Sequence, residues 1–213
     1  TTNNMDHSGS IGAYLEDSLY NNISNNTARS CGNYGIDLFN SDQNGIYKNN
    51  VTGSKNVGIG LSSSDFCKIR YNTAEGSNIG VSLRWSSDNN IKDNNANEND
   101  LGIYMFQSHR NTVSDNRIND NKNNGLELSI SNDNTLFNNS ACRNPNYGVH
   151  AYSSRNNNIE SNKADSNGAG IFLDWSESNT IKNNTATSNS INGITLDWSS
   201  NSNKVINNSA RSN

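Results

Sequence analysis

Glycine recurs at Gly12, Gly35, Gly58, Gly80, Gly102, Gly125, Gly148, Gly170 and Gly193, at intervals of 22 or 23 residues. Setting each of these glycines as position zero brings the apolar residues into columns. Position 1 reads Ala13, Ile36, Ile59, Val81, Ile103, Leu126, Val149, Ile171 and Ile194, and position 3 reads Leu15, Leu38, Leu61, Leu83, Met105, Leu128, Ala151, Leu173 and Leu196. The alternation within each phrase is the period of a strand with one buried face. Position 11 holds a second apolar column from Ile23 to Ile181, with Val205 one place late. Position 16 holds a column of small or apolar residues from Ala28 to Ala186. No unit contains an apolar stripe of helical period long enough for a helix.

The polar columns are equally regular. Position 6 is serine from Ser18 to Ser199. Position 9 is asparagine from Asn21 to Asn179, interrupted by Cys67. Position 14 is asparagine from Asn26 to Asn184, with Asn208 one place late, and a later column gathers Asn99, Asn121, Asn144, Asn167 and Asn189. A strand this short cannot bury its apolar face alone, so neighbouring units must stack, placing equal positions ~4.8 Å apart. An inward asparagine then bonds the asparagines above and below through its amide. The glycine at position zero is expected to serve a bend that needs permissive φ and ψ. The fold predicted is an all-β solenoid of about nine coils with internal Asn and Ser ladders.

The 22–23-residue unit, the G-I-x-L phrase and the Asn columns resemble the right-handed parallel β-helix repeat. They resemble more narrowly the CASH and NosD-like repeats of carbohydrate-acting and surface proteins, including Asn-rich surface proteins of methanogenic archaea and disaggregatase-like enzymes. The resemblance spans essentially the whole chain. It implies an extracellular or cell-surface protein whose partner is a polysaccharide. The fold hosts lyases, hydrolases, epimerases, adhesins and structural proteins, so function must come from the site. The N-T-D, D-D and G-H-G signatures of pectin hydrolases are absent, as is a pectate-lyase arrangement of calcium-binding acids with an arginine.

Composition narrows the classes. Mean hydropathy is −0.87 and only 31% of residues are hydrophobic, yet charged residues are just 17%. The polarity comes largely from asparagine, which supplies 47 of 213 residues. The net charge is −4, and no basic stripe points to nucleic acid. No apolar run approaches the ~20 residues of a membrane span. Cys31, Cys67 and Cys142 lie on different coils, the first two about 9.6 Å apart along the stack, beyond disulfide reach. All three are expected to be free. His7, His109 and His150 fall on different coils and are expected at the surface as isolated residues. No His, Met or Cys cluster of copper-binding type occurs.

The candidate chemistry gathers beside the long strand. Positions 4 and 5 should form an outward corner, carrying Asp174-Trp175 and Asp197-Trp198 on adjacent coils and Arg84-Trp85 four coils earlier. Trp85, Trp175, Trp198, Asp174 and Asp197 are the candidate glycan-binding residues, because a ring face packs on a pyranose while carboxylates accept hydroxyl hydrogen bonds. Asp174 and Asp197 are also the candidate catalytic acids. One coil of separation is close to the ~5–5.5 Å between carboxyls in retaining glycosidases. The alternative is a duplicated, solvated corner. Asp42, Asp65, Asp88, Asp133 and Glu177 form a second series, for which calcium or a uronate chain is the candidate ligand. No resident cofactor or metal is expected.

Two functions follow. One is an extracellular β-helix that engages polysaccharide, by binding it or as part of a hydrolase or lyase. The other is a structural surface or filament protein built by end-to-end stacking. The repeat pattern runs into both ends, so residues 1–213 are expected to be one domain that begins and ends mid-coil, a segment of a longer protein.

Overall fold

The structure, a computed structural model, describes residues 3–213, so Thr1 and Thr2 of the expected domain lie outside the described residues. Every strand is parallel to its neighbour and pairs with the equivalent strand of the next coil. One nine-stranded sheet is built from the long strands, such as Tyr34–Phe39, Ala169–Asp174 and Asn192–Asp197. A second nine-stranded sheet uses three-residue strands such as Gly45–Tyr47 and Lys68–Arg70. A third has three strands and continues as single bridges from Thr73↔Asn95 to Thr185↔Ser209. No helix occurs among the described residues. The register matches the columns: Ile36 opposes Ile59, Leu38 opposes Leu61, and Ile91 opposes both Ile69 and Val113. Those side chains are buried, with Ala74, Ala96 and Ala141 closing the third wall of the core.

The corners explain the polar columns. Each coil turns four times at a residue with positive φ, as at Trp85, Asp88, Asp93 and Glu98 in the fourth coil. That left-handed step throws the next side chain inward, and in this coil each next residue is a ladder residue: Ser86, Asn89, Asn94 and Asn99. Asn94 shows what asparagine supplies. Its Oδ1 accepts from the backbone N–H of Asn72 at 2.9 Å and from the Asn72 side-chain amide at 3.0 Å, while its Nδ2 donates to the Ile69 carbonyl at 2.8 Å. One planar amide therefore satisfies a donor and an acceptor that the bend would otherwise strand in the core. Serine does the same at a tighter corner, where Ser86 N–H donates to Ser108 Oγ at 3.1 Å and Ser86 Oγ donates to the Arg84 carbonyl at 2.9 Å.

Two expectations are corrected. The position-zero glycines do not have left-handed φ. What they supply is room: a Cβ on Gly80 would lie 2.6 Å from Asn99 Nδ2 and 2.7 Å from the Gly102 carbonyl oxygen. The last member of the serine ladder is Ser200, not Ser199, since Ser200 Oγ accepts from Ser176 N–H at 3.1 Å. Trp198 and Ser199 are both left-handed, so this corner holds one extra residue. The insertion also accounts for the late placement of Val205 and Asn208.

Cys31, Cys67 and Cys142 are free and buried. Cys67 stands in the position-9 ladder, its N–H donating to Asn89 Oδ1 at 2.7 Å, and burial pushes its thiol up to about 11.

Candidate functional site

The outer surface of the long sheet carries positions 2 and 4 of every coil, and the corner beyond it carries position 5. Strand pairing places Asp174 directly beside Asp197 and Phe172 beside Thr195. Trp175 and Trp198 follow at left-handed corners with φ of 51° and 44°, which turn both rings outward. Their centroids are 6.2 Å apart at an interplanar angle of 18°, an offset stack that leaves part of each face open. Trp175 is 49% and Trp198 60% exposed.

The two acids beneath them differ. Asp174 is half-buried, and its Oδ1 is buried without a hydrogen-bond partner. Burial first, and the Asp197 charge second, raise its carboxyl above the ordinary range. Asp197 is exposed, and its Oδ1 accepts from the Trp198 backbone N–H at 2.8 Å. The pair thus has one carboxyl whose proton affinity is raised and one tied into the corner. An unpartnered acceptor beside open aromatic faces suits a ligand that brings hydroxyl donors and an apolar ring face.

The fifth predicted residue lies elsewhere. Trp85 is four coils from Trp175, roughly 19 Å along the stack at the inter-strand spacing. Its indole N–H donates to Gln107 Oε1, and its ring meets Phe106 edge-on at 5.7 Å and 81°. The structure brings Trp175, Trp198, Asp174 and Asp197 together and leaves Trp85 in a separate cluster with Tyr104, Phe106 and Arg84, whose guanidinium lies 5.7 Å from the Tyr104 ring centre.

Two outward position-2 groups are more buried than the sequence pattern indicates. Asp37 has a buried, unpartnered Oδ1, and burial raises its carboxyl to about 6. It leans with Tyr34 over Gly60 of the next coil, where a Cβ would lie 2.8 Å from the Tyr34 ring and 3.0 Å from Asp37 Oδ1. The available signal was Gly60 itself, the one glycine in a column whose other members carry side chains. The other is His150, expected as an isolated surface residue. Its ring packs 4.8 Å from Tyr147 and 5.6 Å from Phe172, both nitrogens are buried without partners, and burial lowers its pKa to about 4. His7 is exposed, and His109 Nδ1 accepts from Asn132 N–H at 3.0 Å.

The second acidic series holds the turns together. Asp42 and Asp65 accept backbone N–H groups of the next coil at 2.7 and 2.6 Å, and Arg110 grips Asp88 with two bonds of 2.9 and 2.7 Å. No group of three His, Cys, Asp or Glu side chains among the described residues is placed to hold a metal ion.

A sequence profile described as a right-handed β-helix region matches residues 1–74 and 57–210. The chain belongs to the right-handed β-helix family. No curated protein matches it significantly. Among solved structures, this β-helix is similar to the periplasmic alginate epimerase AlgG, at 19% identity and a TM-score of 0.81 over 95% of this chain and 60% of that one. It is similar to the Dettilon tailspike protein, at 16% identity and a TM-score of 0.72 over 85% of this chain and 42% of that one. It is also similar to the A-module of the Azotobacter vinelandii mannuronan C-5 epimerase AlgE4, at 14% identity and a TM-score of 0.63 over 99% and 85%. At these identities the likeness is one of fold. The β-helix described here spans about 60% of the length of AlgG.

Proposed function

We propose that this β-helix is an extracellular or cell-surface protein region that engages polysaccharide through the outward corner of Asp174, Trp175, Asp197 and Trp198. The observation that carries the reading is the pairing of an unpartnered acceptor, Asp174 Oδ1, with two adjacent half-open indoles. No protein donor satisfies that oxygen, and a turn of the buried carboxyl toward the corner would bring it to sugar hydroxyls. The named alginate epimerases and tailspikes of the same fold support glycans as the ligand class. The two carboxyls also lie side by side on neighbouring strands, which makes hydrolysis or lysis the reaction class to assay.

A structural rod is the second reading. Mutual stacking of Trp175 and Trp198 favours it, because stacked rings stabilise a corner with no ligand present. A glycan array with a reducing-sugar assay separates the two. Glycan signal lost on Trp175→Ala supports the corner as a binding site, and no glycan signal for the parent protein favours the rod.

A further inference from the structure

The second sheet carries a groove of about 540 Å³ on its outer side, lined by Tyr20, Gln43, Gly45, Tyr47, Phe66 and Lys68. Its walls are Tyr20 and Phe66, at the same corner of the first and third coils, with Gln43 at that corner between them. Its floor follows from a missing side chain. Position 10 carries Asn22, Lys68, Asn90 and Thr112 in other coils but glycine at Gly45. Tyr47 fills the gap by laying its ring back along its own strand, so that a Cβ on Gly45 would lie 2.2 Å from Tyr47 Cε2 and 2.8 Å from its hydroxyl oxygen. Lys68 closes one edge and forms no salt bridge among the described residues.

The walls are in positions that the fold does not reserve for aromatics. Tyr20 and Phe66 have φ of 59° and 56°, a region disfavoured by bulky residues and tolerated by Asn and Asp. The same corner is Gln43, Asp88, Arg110, Asp133, Asn156 and Ser178 in other coils, none of them aromatic. The rings gain little burial in exchange, since Tyr20 is 74% and Phe66 54% exposed. Two exposed aromatics at left-handed corners that line one groove call for an explanation outside the stability of the coil.

We infer that this groove is a second glycan site that holds a hexuronic acid residue of a polysaccharide. The aromatic floor and walls take the apolar ring faces of the sugar, the Gln43 amide offers one donor pair and one acceptor to hydroxyls, and the Lys68 ammonium pairs with the carboxylate. The inference takes its ligand class from the proposed function, but its residues are separate from that site. Coil two lies roughly 29 Å along the stack from coil eight at the inter-strand spacing.

The test is calorimetric titration of the full chain with hexamers of mannuronate, guluronate, galacturonate and glucuronate, beside cellohexaose. At least one uronate should bind more tightly than cellohexaose. Tyr20→Asn and Phe66→Asn should each weaken it by roughly tenfold or more while leaving the melting temperature unchanged or higher, because asparagine relieves the corner. Gly45→Ala, which displaces the Tyr47 ring, should weaken it too. Lys68→Gln should erase the preference for uronate over cellohexaose. Binding of every uronate unaffected by Tyr20→Asn and Phe66→Asn, or no uronate binding at all, overturns the inference, and so does a fall in melting temperature that accounts for the lost binding. Trp175→Ala with Trp198→Ala keeps the two sites apart. Uronate binding that survives this change but fails in Phe66→Asn supports the groove alone, and the reverse pattern sinks the groove while leaving the corner.

Discussion

Asp37 and His150 occupy the same outward column of the long sheet, five coils apart, and burial displaces their proton affinities in opposite directions. The Asp37 carboxyl is raised to about 6, so its contribution to stability is greatest below the unfolded carboxyl value of about 3.9 and is lost as pH climbs to about 6. His150 is lowered to about 4, so its contribution is full above about 6.5 and is lost as pH falls toward 4. The two slopes oppose each other across nearly the same window. Asp37→Asn should leave a protein whose stability, measured against the parent by urea unfolding, rises between pH 4 and 6.5. His150→Phe should leave one that falls. Each divergence should be on the order of 1–2 kcal/mol after allowance for partial solvent screening. Parallel curves for parent and variants would show that these groups titrate normally.

Asn94→Leu should destabilise the protein by about 2–4 kcal/mol, since it strands the Asn72 N–H and the Ile69 carbonyl inside the core. Thermal or urea unfolding measures it. A loss below about 0.5 kcal/mol would mean that the amide column bears no such share.

Cys67→Asn should do the opposite. An asparagine here completes the position-9 ladder between Asn44 and Asn89 and should add about 1 kcal/mol. The parent thiol, buried and raised to about 11, should react with a disulfide reagent only on unfolding. Rapid labelling of Cys67 in the native protein would contradict its placement.

Trp175→Ala and Trp198→Ala should each weaken glycan binding by about 1–3 kcal/mol with little change in melting temperature, the signature of an exposed stacking anchor. If the acids are catalytic, Asp174→Asn should abolish turnover yet keep binding. Unchanged affinity in both tryptophan variants would move the reading to the structural rod.

The columns were legible in the sequence because stacking makes every coil answer to the same constraints: Ile91 must match Ile69 and Val113, and Asn94 must match Asn72 and Asn116. Position alone revealed those residues. It did not reveal Ser200, because the phrase around Asp197 and Trp198 copies the preceding coil and hides an insertion that only the ladder bond discloses. It did not distinguish space from φ at Gly80, since both select glycine. Nor did it give the burial of Asp37 or His150. Their environments are set by Tyr34, Gly60, Tyr147 and Phe172, and the outward columns have no consensus from which those contacts can be read. The proposed corner was visible because its phrase is duplicated, whereas the Tyr20 and Phe66 groove is built from residues that occur once each.

Almost every bond that holds a coil in place runs to its immediate neighbour, at a sequence separation of about one unit, as from Asn72 to Asn94 or Ser176 to Ser200. Pulled by its two ends, such a molecule does not share load across a single core. The outermost coil peels while the next remains intact, and each event frees 22 or 23 residues, about 75–80 Å of extended chain. Under tension the molecule would lengthen in steps, giving way one rung at a time.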